Sequence, residues 1–178
     1  MTLTTHIRQL ASDDAGQLSA FYQRNAQHLR RWEPLRDGQY HSEAAWQARV
    51  RERLSEQAAG HSAYFHSFDG GNGRLIATCA LTNIVRGPFQ ACNIGYAIDA
   101  GFEGRGLMKQ LCRQVIDFAF GQLELNRIMA NYMPDNQRSA ALLASLGFRQ
   151  EGRAEKYLLI NGSWEDHILS SLLHPRHR

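Results

Sequence analysis

The chain has 178 residues, 43% of them hydrophobic and 21% charged; this is the size of one domain, and the composition excludes disorder and fibrous structure. No stretch approaches the ~20 consecutive apolar residues of a membrane span, and Met1-Thr2-Leu3-Thr4-Thr5-His6 lacks the basic-then-apolar order of a secretory leader, so a single cytoplasmic domain spanning 1–178 with no membrane partner is expected. Twenty Lys+Arg against 17 Asp+Glu leave +3, too mild for a dedicated nucleic-acid face, and no direct nucleic-acid partner is expected.

In chain order, a first strand is predicted near Leu3–Leu10, and Ser12-Asp13-Asp14 supplies cap-type residues for a helix through Leu18, Phe21 and Tyr22. The segment Asn25–Asp37 predicts a short helix that stops before Pro34, and Ser42-Glu43 opens a clear helix, Glu43–Ala59, closed by Gly60. The period then changes. Ala63–Phe68 and Arg74–Ile84 flank the turn Asp69-Gly70-Gly71-Asn72-Gly73, and Gln90–Ile98 follows Gly87-Pro88, so an antiparallel meander is predicted. Leu107, Leu111, Val115 and Ala119 recur every four residues beside Met108, Cys112, Ile116 and Phe120, one wide apolar helical face. Arg127–Tyr132 reads as a strand and Asp135–Leu146 as a helix ending at Gly147. Phe148–Leu159 and Ser163–Leu172 read as strands joined at Asn161-Gly162. This order gives an α/β (α+β) class: a mixed, mostly antiparallel sheet of about seven strands flanked by helices. Pro175–Arg178 reads as a frayed tail.

Cys79, Cys92 and Cys112 lack metal-ligand spacing and read as buried small apolar residues, and the eight histidines form no ligand set, so no metal is expected. The chemistry centres on the strand Asn93–Ile98 and the loop Glu103-Gly104-Arg105-Gly106 opening a helix at Leu107-Met108. Free N–H groups at a helix N-terminus attract anions, and glycines let a diphosphate approach without meeting Cβ atoms; a plain strand-to-helix turn has the same pattern. A P-loop is excluded because no Gly-Lys pair exists, and a dinucleotide fingerprint because position 109 is lysine.

The chain resembles the GCN5-related N-acetyltransferases and, within them, the RimJ/RimL group, which acetylates N-terminal alanine or serine of ribosomal proteins. The likeness runs from about Arg8 to Leu169. It includes Trp32-Glu33-Pro34, Trp46-Gln47-Ala48-Arg49, Val85-Arg86-Gly87, Gly95-Tyr96, Gly104-x-Gly106-Leu107-Met108, Arg127–Pro134, Gly147-Phe148 and Tyr157-Leu158-Leu159-Ile160. The resemblance implies acetyl-CoA as co-substrate. The backbone of Tyr96, Ala97 and Ile98 is expected to bond its pantetheine like an added strand. The amides of Gly104, Arg105, Gly106, Leu107 and Met108 are expected on the diphosphate, with Asn136 and Ser139 beside the thioester. Arg138 and Lys109 are either partners of the 3′-phosphate or solvated surface. Glu103 stands where the signature has Gln or Arg, and a carboxylate there is unhelpful unless it points away; Met108 replaces the last Gly or Ala. Leu143 stands where many relatives carry a proton-donating tyrosine, and Asn93 where some carry a glutamate base.

The implied reaction is direct attack of an amine on the thioester. An α-amino group titrates near ~7.7–8, against ~10.4 for lysine, so an N-terminal acceptor needs a base less badly. Ser139 is the candidate donor to the departing thiolate, or a helix-packing residue. Glu33 is the candidate receiver of the acceptor ammonium, or a surface carboxylate. Trp32, Glu33, Tyr157 and Asp166 are the candidate substrate-binding residues; Tyr132 and Tyr157 are otherwise core, and Asp166 otherwise a salt-bridge partner. A protein acceptor predicts an open groove between the Trp32 segment and the last hairpin, and a small amine predicts a closed acidic pocket. Acetylation of a small amine and a catalytically weak ribosome-associated binding protein remain alternatives, and monomer and homodimer are both compatible with the sequence.

Overall fold

The structure, a computed structural model, describes residues 4–177. Its strands are β1 (Thr5–Gln9), β2 (Ala63–Asp69), β3 (Leu75–Val85), β4 (Ala91–Ile98), β5 (Arg127–Tyr132), β6 (Arg149–Ile160) and β7 (Ser163–Leu173). Its α-helices are α1 (Ala15–Arg24), α2 (Ala26–Leu29), α3 (Glu43–Ala58), α4 (Leu107–Gly121) and α5 (Gln137–Leu146). The strands form one sheet in the order β1-β2-β3-β4-β5-β7-β6. Every neighbouring pair is antiparallel except β4 and β5, which run parallel. A parallel pair needs a crossover, and α4 supplies it.

The sheet is covered on both faces. Phe65, Cys79, Cys92, Ile94, Ile128 and Ala130 face α4 and α5, against Leu111, Val115 and Leu143. Tyr64, Phe68 and Leu75 join the opposite cluster, against Leu18, Phe21, Trp46 and Val50 of α1 and α3. The alternation of Tyr64 and Phe65 between the clusters is the two-residue strand period at work. The apolar face of α4 buries seven residues from Leu107 to Ala119, and each large aliphatic among them contributes about 1.5–3 kcal/mol. Cys79, Cys92 and Cys112 are free and buried in this core. Among the described residues no helix is long and apolar enough to cross a membrane.

Local chemistry accounts for the element ends. Ser42 Oγ accepts from Ala45 N–H at 3.3 Å and starts α3. Asn161 and Gly162 both take positive φ, 45° and 86°, the backbone of a two-residue hairpin turn. Most strand and helix ends fall within a residue of expectation, and four features depart from it. The first strand begins at Thr5, and Leu3 lies outside the described residues. Asp14 sits at the N-cap of α1 without capping it, because its carboxylate accepts from Arg8, at 2.8 and 2.5 Å, and from Ala11 N–H at 2.8 Å. The helix expected from Asp135 begins at Gln137, with Asn136 as its cap accepting from Ser139 N–H at 3.1 Å. Pro175–His177 forms a 3-10 turn where a frayed tail was expected, and Arg178 lies outside the described residues.

Candidate active site

The parallel ladder is short. β4 and β5 pair only at Ala91–Arg127, Cys92–Ile128 and Asn93–Met129. Beyond them β4 stays with β3, Ile94 to Ile98 against Leu81 to Ala77, while β5 stays with β7, Ala130 to Tyr132 against Ser170 to Ile168. The sheet therefore parts into two halves, leaving the β5-facing edge of Ile94–Ile98 without a ladder partner. Tyr96, Ala97 and Ile98 lie on that edge. Unpaired backbone in a strand is a template for one more extended chain.

The parted ladder opens onto the N-terminus of α4. Gly104 and Gly106 adopt φ of 71° and 76°, a region that costs other residues about 1–2 kcal/mol. A Cβ built at either meets nothing within 4 Å, so free space lies in front of the loop. The flanking amides and this space fit a diphosphate. The exposed loop residues are Gly104, Arg105 and Gly106, whereas Leu107 and Met108 are buried, so those two offer main chain and not side chain. Met108 is thus a core residue. The Glu103 charge is partnered: its carboxylate pairs with Arg138 and stands 3.4 Å from His28 Nε2.

Residues that sequence reasoning missed hold the loop in place. Asp99 is buried and accepts from Arg24 Nε at 2.7 Å, Gly101 N–H at 2.9 Å and Asn25 Nδ2 at 3.4 Å. Asn25 Oδ1 in turn accepts from Ala100 N–H at 3.0 Å. Burial opposes the Asp99 charge, but the Arg24 hydrogen bond and the others outweigh it and keep its pKa below the ordinary value. Phe102 is covered by the Arg74 and Arg105 guanidiniums, 5.2 and 5.4 Å from its ring centre.

On the α5 side, Ser139 Oγ and Tyr96 Oη are 2.7 Å apart, a full hydrogen bond spanning the gap. Burial lifts the Tyr96 phenol well above its ordinary pKa. Leu143, one turn further along α5, is 2% exposed and belongs to the core. The cap geometry of Asn136 fixes the backbone of Ser139.

The segment from His28 to Leu35 lies across the same end of the sheet. His28 reaches Glu103, Arg31 pairs with Asp135, and Arg30 Nε donates to Asn161 Oδ1 at 3.3 Å. Asn161 N–H donates to Glu33 C=O at 2.9 Å. This strap thus touches the loop before α4, the loop before α5 and the hairpin tip. An open groove between the Trp32 segment and the hairpin was expected; at the tip the two are joined instead, because Gly162 leaves room for Leu35. Trp32 and Glu33 are half-buried, and the Arg31 guanidinium covers the Trp32 ring at 4.8 Å. Burial raises the Glu33 pKa against the pull of the Arg36 cation. Its charge acts on the phenol of Tyr22, whose ring stacks on His41 and Trp46 at 4.8 and 5.0 Å. No spacing in the sequence announced that stack.

Tyr157 is exposed, receives a 3.3 Å hydrogen bond from Asn131 Nδ2 and sits 5.6 Å from the His167 ring. Asp166 accepts from Arg153 at 3.0 and 2.6 Å and from Lys156 N–H at 2.9 Å. Lys156 has positive φ inside the irregularity between Ala154 and Leu158, so the Asp166 carboxylate clasps a β-bulge. Arg138 is occupied by Glu103, and Lys109 is half-buried at the start of α4.

A mixed sheet parts between two parallel strands and a glycine loop feeds a helix at the opening, a setting for an extended arm ending in a diphosphate. The family model described as Acetyltransferase (GNAT) domain matches residues 5–149, and the chain belongs to that family of N-acetyltransferases. It is 40% identical over 169 residues to the [ribosomal protein uS5]-alanine N-acetyltransferase of Escherichia coli, covering 95% of this chain and 87% of the relative. Among solved structures, the ribosomal-protein-S5-alanine acetyltransferase of Vibrio fischeri superposes with a TM-score of 0.94 at 37% identity, covering 98% of this chain and 95% of that one. RimJ of Mycobacterium smegmatis, in complex with CoA-disulfide, superposes with a TM-score of 0.90 at 27% identity, covering 97% and 83%.

Proposed function

We propose that the protein transfers the acetyl group of acetyl-CoA to the α-amino group of a protein N-terminus, alanine or serine, on a cytoplasmic ribosomal protein. The observation that carries this reading is the parted ladder after Asn93 and Met129, opening onto Gly104 and Gly106. The acceptor assignment draws on the relatives in Escherichia coli and Vibrio fischeri, whose names specify ribosomal protein alanine. It also draws on the charge of the strap. In sequence Glu33 and Asp37 are the acids among Arg30, Arg31 and Arg36, and the Arg36 cation acts on Glu33. One half-buried carboxylate can pair with one ammonium group, whereas a polyamine calls for several acids.

Acetyl-CoA supplies a thioester whose carbonyl carbon is open to an amine. The protein supplies alignment. Main-chain groups of Tyr96, Ala97 and Ile98 take the pantetheine arm as an extra strand. The amides of Gly104, Arg105, Gly106, Leu107 and Met108 take the diphosphate, with Asn136 and Ser139 bordering the arm from α5. Glu33 receives the acceptor ammonium and takes its proton, directly or through water, while Trp32 and Tyr157 border the acceptor. The amine lone pair attacks the carbonyl carbon, the C–S bond breaks, and the electron pair leaves on sulfur within reach of Ser139 Oγ–H. Proximity and backbone polarisation of the carbonyl supply much of the rate in such a site. Asp166 stays with the β6 bulge.

The test is mass spectrometry of N-terminal peptides after incubation of unacetylated ribosomal proteins with enzyme and acetyl-CoA, beside parallel reactions with spermidine and an aminoglycoside. Acetylated N-terminal alanine or serine supports the reading. Transfer to the small amines alone, or to nothing, overturns it.

A further inference from the structure

We propose that Tyr96 is a positioning residue for the leaving sulfur: its phenol donates to Ser139 Oγ and so turns the serine hydroxyl proton toward the gap between β4 and β5. This rests on the acetyl-CoA reading above and adds a side-chain role to a residue assigned there only through its backbone.

Three observations support it. The 2.7 Å contact joins two hydroxyls, and either could donate. A phenol, with its ordinary pKa of ~10, is a far stronger acid than an aliphatic alcohol, and its oxygen shares its lone pair with the ring. It is therefore the better donor and the poorer acceptor, and the favoured direction is Tyr96 to Ser139. Burial raises the phenol further, and the other titratable groups acting on it are Cys112, Cys79 and Tyr132; the phenol thus keeps its proton and remains a donor. Finally, Ser139 has a single fixed backbone position, because its N–H is held by Asn136 Oδ1 at 3.1 Å. With Tyr96 donating, the one proton of Ser139 is free for a third group.

The chemistry balances without moving that proton. As the amine nitrogen bonds to the carbonyl carbon, the C–S electrons pass to sulfur, and the thiolate is stabilised by the Ser139 hydrogen bond, while the second amine proton leaves to water, Glu33 having taken the first. The thiolate takes its own proton from solvent on release. A phenol with a raised pKa is a poor proton source but a good anchor, so the pair acts as a donor chain to developing charge.

The test uses Tyr96→Phe, Ser139→Ala and the double variant. Tyr96→Phe is expected to lower kcat about 5- to 30-fold, the loss of one hydrogen bond that serves a charge, with KM for acetyl-CoA within about twofold. The double variant is expected to be no slower than Ser139→Ala. A second readout needs no turnover. Free CoA binding near pH 8 is measured by calorimetry in buffers of different ionisation enthalpy. The wild type is expected to release protons, because the hydroxyl pair lowers the bound thiol below its value in free CoA. Tyr96→Phe is expected to release fewer and to match the wild type in affinity at pH 6, which also reports an intact fold. Desulfo-CoA is expected to release none from either. Equal kcat and equal proton release in wild type and Tyr96→Phe overturn the positioning role and leave the cofactor reading standing. Absence of CoA binding by the wild type overturns both.

Discussion

Single residues decide this site through backbone angle and buried charge. Gly106 holds φ of 76° with open space where a Cβ would stand. Gly106→Ala is therefore expected to cost the free protein about 1–2 kcal/mol, from the left-handed backbone alone. Its larger effect is expected on acetyl-CoA, whose diphosphate is proposed to fill that space. Thermal melts with and without acetyl-CoA separate the two, and a mutant with full ligand stabilisation makes the glycine a turn residue only. Glu33 gives a pH prediction. Burial raises its pKa, so protonation removes the base at a higher pH than for an exposed glutamate. The kcat/KM profile is expected to fall on its acid side with a midpoint above the ordinary ~4.3. In Glu33→Gln that limb is expected to move up toward the acceptor amine's own ~7.7–8, since the ammonium must then lose its proton unaided, with kcat/KM at neutral pH down about 10- to 100-fold; an unchanged acid limb assigns it to another group. Gly104 and Gly106 were legible as a loop feeding a helix because backbone geometry restricts which residue types serve there, whereas Asn136 was expected only beside the thioester and its cap to Ser139 N–H was not foreseen. The Tyr96–Ser139 bond was not, since 43 positions separate two hydroxyls that meet only because α5 packs beside the parted strands.

Elements position these residues through contacts that no local pattern encodes. The end of α1 and the residue after it brace the loop before α4 through Arg24 and Asn25 on Asp99. Arg24→Ala is expected to raise KM for acetyl-CoA about 3- to 10-fold and to leave kcat nearly unchanged, since the brace shapes the loop without touching the reacting atoms. A kcat loss equal to the loss in affinity would place Arg24 nearer the chemistry. The strand and helix spans, by contrast, were readable to within a few residues, because periodicity and turn residues are local. The start of α5 was misplaced by two residues because Asp135 and Asn136 are both acceptable caps. The bond to Ser139 N–H decides between them, while Asp135 pairs with Arg31 of the strap. The strap was foreseen as a short helix ending before Pro34 and as one wall of an open groove facing the last hairpin, not as a bridge to it. That it joins the hairpin tip follows from Asn161 and Gly162 meeting Glu33 and Leu35 in three dimensions.

At the scale of the molecule, the sheet is two half-sheets joined by a three-pair parallel ladder, by the shared core under α4 and α5, and by the strap. The β1 side carries its own anchor. Burial opposes the Asp14 charge, yet hydrogen bonds from Arg8, His66 and Ala11 N–H hold its pKa well below the carboxylate range. A depressed pKa stabilises the fold above ~4, and that contribution is lost as pH falls further. Asp14→Asn is thus expected to be less stable than wild type in denaturant titrations at pH 7, with the difference narrowing toward pH 3; a constant difference would mean the charge is irrelevant. Across the gap, the edge of Ile94–Ile98 is unpaired on its β5 side, so a pantetheine arm bonded there adds a rung between the halves. By mass action, acetyl-CoA at 100 times its Kd contributes about 2.7 kcal/mol, and at about 2–4 °C per kcal/mol for a chain of this size the melting point is expected to rise about 5–10 °C. Linkage alone does not locate the ligand, but hydrogen exchange does. Amides that exchange by global unfolding, those of β1 and β2 included, share the global gain; at Gly95–Ile98 and Gly104–Met108, whose exchange runs through local opening, protection is expected to rise beyond what β1 and β2 show. Stabilisation with no local excess at Gly95–Ile98 and Gly104–Met108 would place acetyl-CoA outside the gap, and with it would fall the assignment of the parted ladder as the cofactor cleft.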